Sequence, residues 1–290
     1  MTQLRYREST QNGWRLKVAP SDWSNELWRT ILAKIHEQVP TRHPQTIRLD
    51  LPENGQQKSY FLKIYYPRST WDSVKDWFRD SKAFRFLKQG AALKQAGFLV
   101  PWVIAAGEKR RFGVLKTAFV ATLEIHGSPL PVFLEQNVGG GRTMLSLAEK
   151  RIALQALARQ IRRLHSLGFV HGDLVPSNIY VCQDAAKNLQ FYLMDHDRTR
   201  RYPKWLAQSL WKRNLVQLNR FPLWSISLQD RIRFFREYSS DSPAELNRRL
   251  LRWLEGKTRQ RRWECDSIDS TISFRRLMSW QEKSIDDSCR

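Results

Sequence analysis

Residues 169–181, FVHGDLVPSNIYV, followed at 191–201 by FYLMDHDRTRR, decide how the chain is read. A polar loop lies between two short apolar runs, and a third apolar run of strand character leads into charge. Within these segments stand His171-Gly172-Asp173, then Asn178, then Asp195 at the end of the later strand. Moving a phosphoryl group needs a carboxylate that orients the attacking hydroxyl and takes its proton, and oxygen ligands that hold Mg²⁺ against a triphosphate. Asp173, Asn178 and Asp195 are residues of that kind at that spacing. The D-x-x-x-x-N loop presents base and amide ligand together, and a strand end brings the second carboxylate. His171 reads as a scaffold residue bonded to backbone near Asp195. Asp197 reads as a salt-bridge partner of Arg198 or Arg200, with metal ligation as the alternative.

Upstream, residues 45–51 (QTIRLDL) and 58–66 (KSYFLKIYY) alternate apolar and polar positions around PENGQQ, which predicts a β-hairpin. Lys63 lies in the middle of its second strand. An ammonium among apolar neighbours needs an anionic partner, so Lys63 is the candidate contact to ATP phosphates; taken alone it reads sooner as an edge charge, and its place in the order of elements reverses that. Residues 72–96 read as one helix stopped by Gly97, and 101–106 and 112–122 as two further strands. Past the glycine-rich VGGGRT (138–143), residues 146–167 predict the clearest helix, with Leu154, Leu157, Ile161 and Leu164 on one stripe and Gly168 as its stop. The glycine run reads as a flexible interlobe or substrate-side loop, because it does not follow a strand as a phosphate cradle does. Residues 204–290 read as mostly helical and basic, with a thin, polar last twenty residues. The order of strand lysine, helix, two strands, long helix, Asp/Asn loop and Asp-bearing strand is that of a two-lobed kinase. The expected architecture is therefore α+β. Residues 1–124 form an N-lobe of antiparallel sheet plus helix, and 125–290 a mostly helical C-lobe.

The chain has 290 residues, 41% of them hydrophobic, which is enough for a buried core and excludes disorder as the main state. Its formal charge is +21, a field that attracts polyanions such as nucleic acid, anionic lipid headgroups or phosphorylated saccharides and disfavours a cationic substrate. Cysteines stand only at Cys182, Cys265 and Cys289, without the short pairs of a metal knuckle, which fits a reducing compartment. MTQLRYREST lacks a signal-peptide core, and the longest apolar run, 98–106, is about half of a bilayer span, so a cytosolic location is expected. The tryptophans beside Arg or Lys suit either a membrane interface or ordinary packing over a basic surface.

The segment 165–181 (HSLGFVHGDLVPSNIYV) resembles the catalytic loop of the bacterial lipopolysaccharide core kinases, the Kdo and heptose kinases with a protein-kinase-like fold, and LMDHDRTRR (193–201) is similar to their metal-binding strand. WKRNLVQLNR (211–220) is similar to a helix of the Kdo kinase branch, and DRIRFFREY (230–238) resembles a late helix of the family. The resemblance implies ATP and Mg²⁺ as cofactors, Asp173 as catalytic base, Asn178 and Asp195 as metal ligands, and Lys63 as the phosphate contact. It implies a Kdo or heptose hydroxyl of the lipopolysaccharide inner core, on a lipid A precursor, as acceptor. It also implies peripheral attachment to the cytosolic face of an anionic inner membrane, with no nucleic-acid partner. Arg248, Arg249, Arg252, Lys257, Arg259, Arg261 and Arg262, with Trp253 and Trp263, would then face the lipid; the alternative is a solvated basic helix.

The chain departs from the kinase pattern in three ways. No acidic residue stands from Ser81 to Gly107, and Phe86 occupies the place of the helix glutamate that usually pairs with the strand lysine. Asp76 and Asp80 are substitutes by position; otherwise nucleotide and Asp195 hold the lysine. No G-x-G-x-x-G precedes the hairpin. Gly172 replaces the arginine that reads a phosphorylated activation loop, and His196-Asp197 follows Asp195 in place of Phe-Gly, so switching by such phosphorylation is not expected. Two rivals remain at this stage: a soluble small-molecule or protein kinase of the same fold, and a non-catalytic pseudokinase whose basic surface holds membrane or nucleic acid.

Overall fold

The computed structural model describes residues 6–41, 43–53, 56–67, 79–136, 146–184, 188–220, 226–241 and 243–268. It divides the chain into two compact units, residues 1–128 with 180–199, and residues 129–179 with 200–290.

The first unit is built on a six-stranded antiparallel sheet in the order β1-β2-β5-β6-β4-β3. Its strands are β1 (Arg7–Gln11), β2 (Trp14–Val18), β3 (Gln45–Glu53), β4 (Gln56–Tyr65), β5 (Val103–Arg111) and β6 (Val114–Leu123). Asn12-Gly13 joins β1 to β2, both residues with positive φ, the two-residue turn that suits the twist of paired strands. Phe112-Gly113 does the same between β5 and β6, so the residues expected to open a strand at 112 form a turn and the strands lie at 103–111 and 114–123. The expected hairpin forms at β3 and β4, with Gln45 opposite Ile64 through to Glu53 opposite Gln56, so the pairing runs on into the PENGQQ stretch read as the turn.

Alternation along β4 sends side chains to opposite faces. Leu62 and Ile64 join Trp14, Leu16 and Phe119 under helix α1 (Asn25–Glu37), whose Leu27, Trp28, Ile31 and Ile35 recur at helical spacing. Tyr65 lies on the other face with Ala106 and Val120, under Phe84, Phe86 and Leu87 of helix α2 (Lys82–Gln95). Ser81 caps α2, accepting from the Phe84 amide, so the described helix starts at Lys82 rather than running on from residue 72; residues 68–78, with Asp76, lie outside the described residues. The hairpin of β9 (Ile179–Gln183) and β10 (Leu189–Leu193) completes the unit, and the Leu193 amide donates to Leu99.

The second unit is mainly helical. After the short β7 (Ser128–Pro129) come α3 (Leu130–Gln136), α4 (Leu147–Ser166), α5 (Lys204–Arg220), α6 (Leu228–Tyr238) and α7 (Ala244–Ile268), with the short pair β8 (Phe169–Val170) and β11 (Arg200–Arg201). Ser146 and Glu149 cap α4 reciprocally, and Leu154, Leu157, Ile161 and Leu164 are buried on the stripe expected of them. Gly168, with φ +83°, ends the helix in the left-handed conformation that a side chain would resist. The glycine run at 138–143 and the last twenty residues lie outside the described residues. Between the helices lies a half-open, mostly apolar pocket of about 380 Å³, lined by Leu154, Leu157, Leu215, Phe235 and Leu254 among others. No helix among the described residues is long and apolar enough to cross a membrane.

Candidate active site

In the first unit Lys63 is not an edge charge. It sits on β4 between β3 and β6, opposite Thr46 and Val120. Its Nζ donates to Asp195 Oδ1 at 2.6 Å, across 132 residues of sequence, and stands 5.7 Å from the centre of the Tyr65 ring. Asp195 follows β10 in the left-handed conformation, φ 47°, and starts the 3₁₀ turn His196–Arg198. A left-handed aspartate costs about 1–3 kcal/mol and persists where its surroundings impose it. Asp197 is buried in that turn and, among the described residues, forms no ion pair with Arg198 or Arg200, contrary to the sequence expectation. Burial first, and the charge of Asp195 second, raise its pKa, with the charges of Lys63, then Arg198 and Arg85, opposing. Adjacent carboxylates that repel each other are hard oxygen donors of the kind Mg²⁺ takes, so this set fits the implied metal. Among the described residues no group of three or more His, Cys, Asp or Glu side chains forms a metal cluster by itself. Asp80, one of the candidate partners for Lys63, is exposed ahead of the α2 cap.

In the second unit the loop at 171–178 is fixed by its own side chains and by α5. His171, with no exposed surface, accepts the Asp173 amide on Nδ1 at 3.2 Å, so its scaffold role is exerted on Asp173 itself. Asn178 Nδ2 donates to the Asp173 carbonyl at 2.9 Å and to Asp173 Oδ2 at 3.4 Å, which turns the amide oxygen, the atom a metal takes, away from the aspartate. From α5, Asn214 grips both backbone groups of His171: its Oδ1 accepts the N–H at 2.9 Å and its Nδ2 donates to the C=O. Gln217, one turn on, accepts the Leu174 N–H at 3.2 Å and donates to the Gly172 carbonyl at 3.3 Å. Sequence reading missed both amides. Their i, i+3 spacing on one helix face was visible in WKRNLVQLNR, but nothing local told these amides from solvated ones.

Behind Asn214 lies His165 of α4, whose Nε2 meets Asn214 Oδ1 at 3.2 Å and whose Nδ1 meets the Tyr238 hydroxyl at 2.9 Å. Burial pushes the His165 pKa down from 6.5 to about 4, against the Asn214 hydrogen bond, which raises it. The folded protein thus keeps His165 neutral where the unfolded chain would protonate it. Its contribution is complete above about pH 6.5 and is lost as the pH falls through about 4, roughly 3 kcal/mol in all. Denaturant melts between pH 7 and 4 should show that slope, and His165→Gln should flatten it; an unchanged slope would assign the acid lability elsewhere.

The basic helix α7 is partly self-compensated. Arg249 pairs with Glu245 at 3.3 Å and Arg259 with Glu255 at 2.8 Å, both exposed and each worth a few tenths of a kcal/mol. Arg262, expected to face lipid, points inward: its guanidinium donates to the Arg220 carbonyl at 2.9 Å and the Asn219 carbonyl at 2.6 Å. The last carbonyls of α5 lack helical partners and carry the negative end of its dipole, and both draw a cation. Burial, then Arg231, lowers the Arg262 pKa to about 10. Trp253 is partly exposed, with Lys212 Nζ 5.7 Å from its ring; the Trp263 side chain lies outside the described residues.

Comparison with known proteins gives likenesses of two kinds, to a family model and to solved structures. A family model, "Lipopolysaccharide kinase (Kdo/WaaP) family", matches residues 26–238, the span from α1 to the end of α6. A solved structure titled "WaaP in complex with acyl carrier protein" is similar with a TM-score of 0.55 and 21% sequence identity, covering 81% of this chain and 95% of that one. The likeness is one of fold, and the fold is protein-kinase-like. Comparison with curated protein sequences finds no match.

Proposed function

The chain belongs to the lipopolysaccharide kinase (Kdo/WaaP) family, and from that premise we propose that it moves the γ-phosphoryl group of ATP to a hydroxyl of a Kdo or heptose residue in the lipopolysaccharide inner core. The acceptor is carried on a lipid A precursor at the cytosolic face of the inner membrane. The observation that carries this reading is the Lys63–Asp195 ion pair at 2.6 Å, which joins two residues of the family-matched span and supports taking them as the phosphate lysine and the metal aspartate. In it, Asp173 Oδ accepts the proton of the attacking hydroxyl. Lys63 Nζ, paired with Asp195 in this structure, turns to the triphosphate when nucleotide binds. Asn178 and Asp195 would hold Mg²⁺, which supplies neutralisation of charge on the transferring group. The +21 charge supports an anionic acceptor and an anionic membrane surface over a cationic small molecule.

The test is labelled ATP with Kdo-bearing and heptose-bearing lipid A acceptors, with mass analysis of the product. Transfer to one of the two sugars is expected, and which one separates the branches. Mg·ATP binding without transfer to either would overturn the acceptor. Salt-sensitive nucleic-acid binding with no response to nucleotide would replace the enzyme reading by a non-catalytic one.

A further inference from the structure

The lysine of β4 has no acidic partner on α2, since no Asp or Glu stands between Ser81 and Gly107. The helix is nevertheless tied to the residues around Asp195: the charge of Arg85 acts on Asp197, and a pair of rings makes the closest link. Phe86, at the position of the absent glutamate, stacks on His196 with ring centroids 4.0 Å apart and planes inclined by 31°. One turn along α2, Gly90 gives the same imidazole its room: a Cβ there would lie 2.7 Å from His196 Nε2. The ring has no exposed surface, and its Nδ1 lies 3.3 Å from the Leu193 carbonyl at the end of β10. The Thr199 amide closes the turn onto the His196 carbonyl at 3.0 Å.

We propose that His196 is a positioning residue, wedged between Phe86 and Gly90 so that α2 sets the left-handed Asp195 in front of Lys63. This inference rests on the kinase reading and deepens it. A helix carboxylate would hold the lysine directly. Here the helix holds the aspartate's neighbour, and the aspartate holds the lysine. The link from α2 to the Asp195 backbone is thus ring packing, which salt does not screen, and only the last step, from Asp195 to Lys63, is an ion pair. The backbone conformation at Asp195 is unfavourable by itself, and a buried ring on the next residue is a physical means of imposing it.

The experiment is a double-mutant cycle on the full chain, read as Mg·ATP affinity by calorimetry and as acceptor KM in the transfer assay. Gly90→Ala is expected to weaken Mg·ATP binding about tenfold or more by driving its methyl into the His196 ring, with acceptor KM unchanged. In the His196→Ala background the same Gly90→Ala change should have no further effect, because the ring it meets is gone. If Gly90→Ala does not fold, Phe86→Leu, which removes the stack at similar volume, should weaken Mg·ATP binding while leaving acceptor KM alone. Wild-type nucleotide affinity in Gly90→Ala or Phe86→Leu, additive losses in the cycle, or an equal rise in acceptor KM would overturn the inference while leaving the kinase reading intact. A wild-type protein that binds no Mg·ATP would overturn both.

Discussion

Asp173→Ala is expected to lose phosphoryl transfer by about three orders of magnitude while Mg·ATP affinity stays within about twofold. General-base assistance contributes on the order of 10² to 10⁴ in rate, and orientation of the hydroxyl is lost with it. The nucleotide side should be spared, because the loop does not depend on the Asp173 carboxylate. The Asp173 amide is held by the His171 ring, and its carbonyl accepts from Asn178 Nδ2 at 2.9 Å and from the Val175 amide at 3.0 Å. Truncation at Cβ removes only the longer 3.4 Å contact to Asn178. Asp195→Ala makes the opposite case. It removes the partner of Lys63 and a proposed metal ligand, so the thermal stabilisation by Mg·ATP, about 2.7 kcal/mol at a hundredfold excess over Kd for a binding protein, should disappear. Single-turnover rates and thermal shifts on the two variants separate chemistry from binding. Wild-type transfer by Asp173→Ala would remove that residue from its role.

Asn214→Leu should be the most destabilising single change to the loop's support, by about 3 kcal/mol, with transfer reduced because the backbone around Asp173 loosens. The side chains are close in size, so the effect is polar. Leucine leaves the N–H and C=O of His171 without the partners they have now and takes the His165 ring's contact as well. Each buried backbone group left unpaired costs about 1–3 kcal/mol. Asn214 is 1% exposed, so water cannot step in. Gln217→Leu strips the Leu174 and Gly172 contacts at a partly buried position and should cost less. Urea denaturation of the two variants gives the comparison, and an Asn214→Leu protein with wild-type stability and rate would show the clamp to be incidental.

How legible the site was depended on where each residue's partner lies. The Asp173 loop carries its constraint in a few consecutive residues: His171, Asp173 and Asn178 bond to one another, so their spacing in the sequence already describes the loop. The β1–β2 hairpin is legible too, in the Asn12-Gly13 dipeptide, although each strand beside it has only five residues and so carries a weak alternation signal. Phe112 was misplaced because an aromatic beside Gly113 favours strand by propensity, and only the pairing of Arg111 with Val114 shows it to be a turn residue of positive φ. Arg262 was assigned to a surface by its charge, although the carbonyl ends it caps belong to a helix some forty residues earlier.

By itself the sequence determined the α+β fold class, the caps and stripe of the long helix, the strand that carries Lys63 and the spacing of the Asp/Asn loop. These follow from short-range regularities, namely side-chain period, capping and turn residues, and the acid-base character of single groups. Only the tertiary structure decided that Lys63 is internal to the sheet and bound to Asp195, that Phe86 and His196 meet where a glutamate was absent, and that Asn214 and Gln217 grip the loop at 171–178. Those facts join residues dozens of positions apart. Packing brings them together, and the chain between them carries no periodic signal of which side chain will be opposite which.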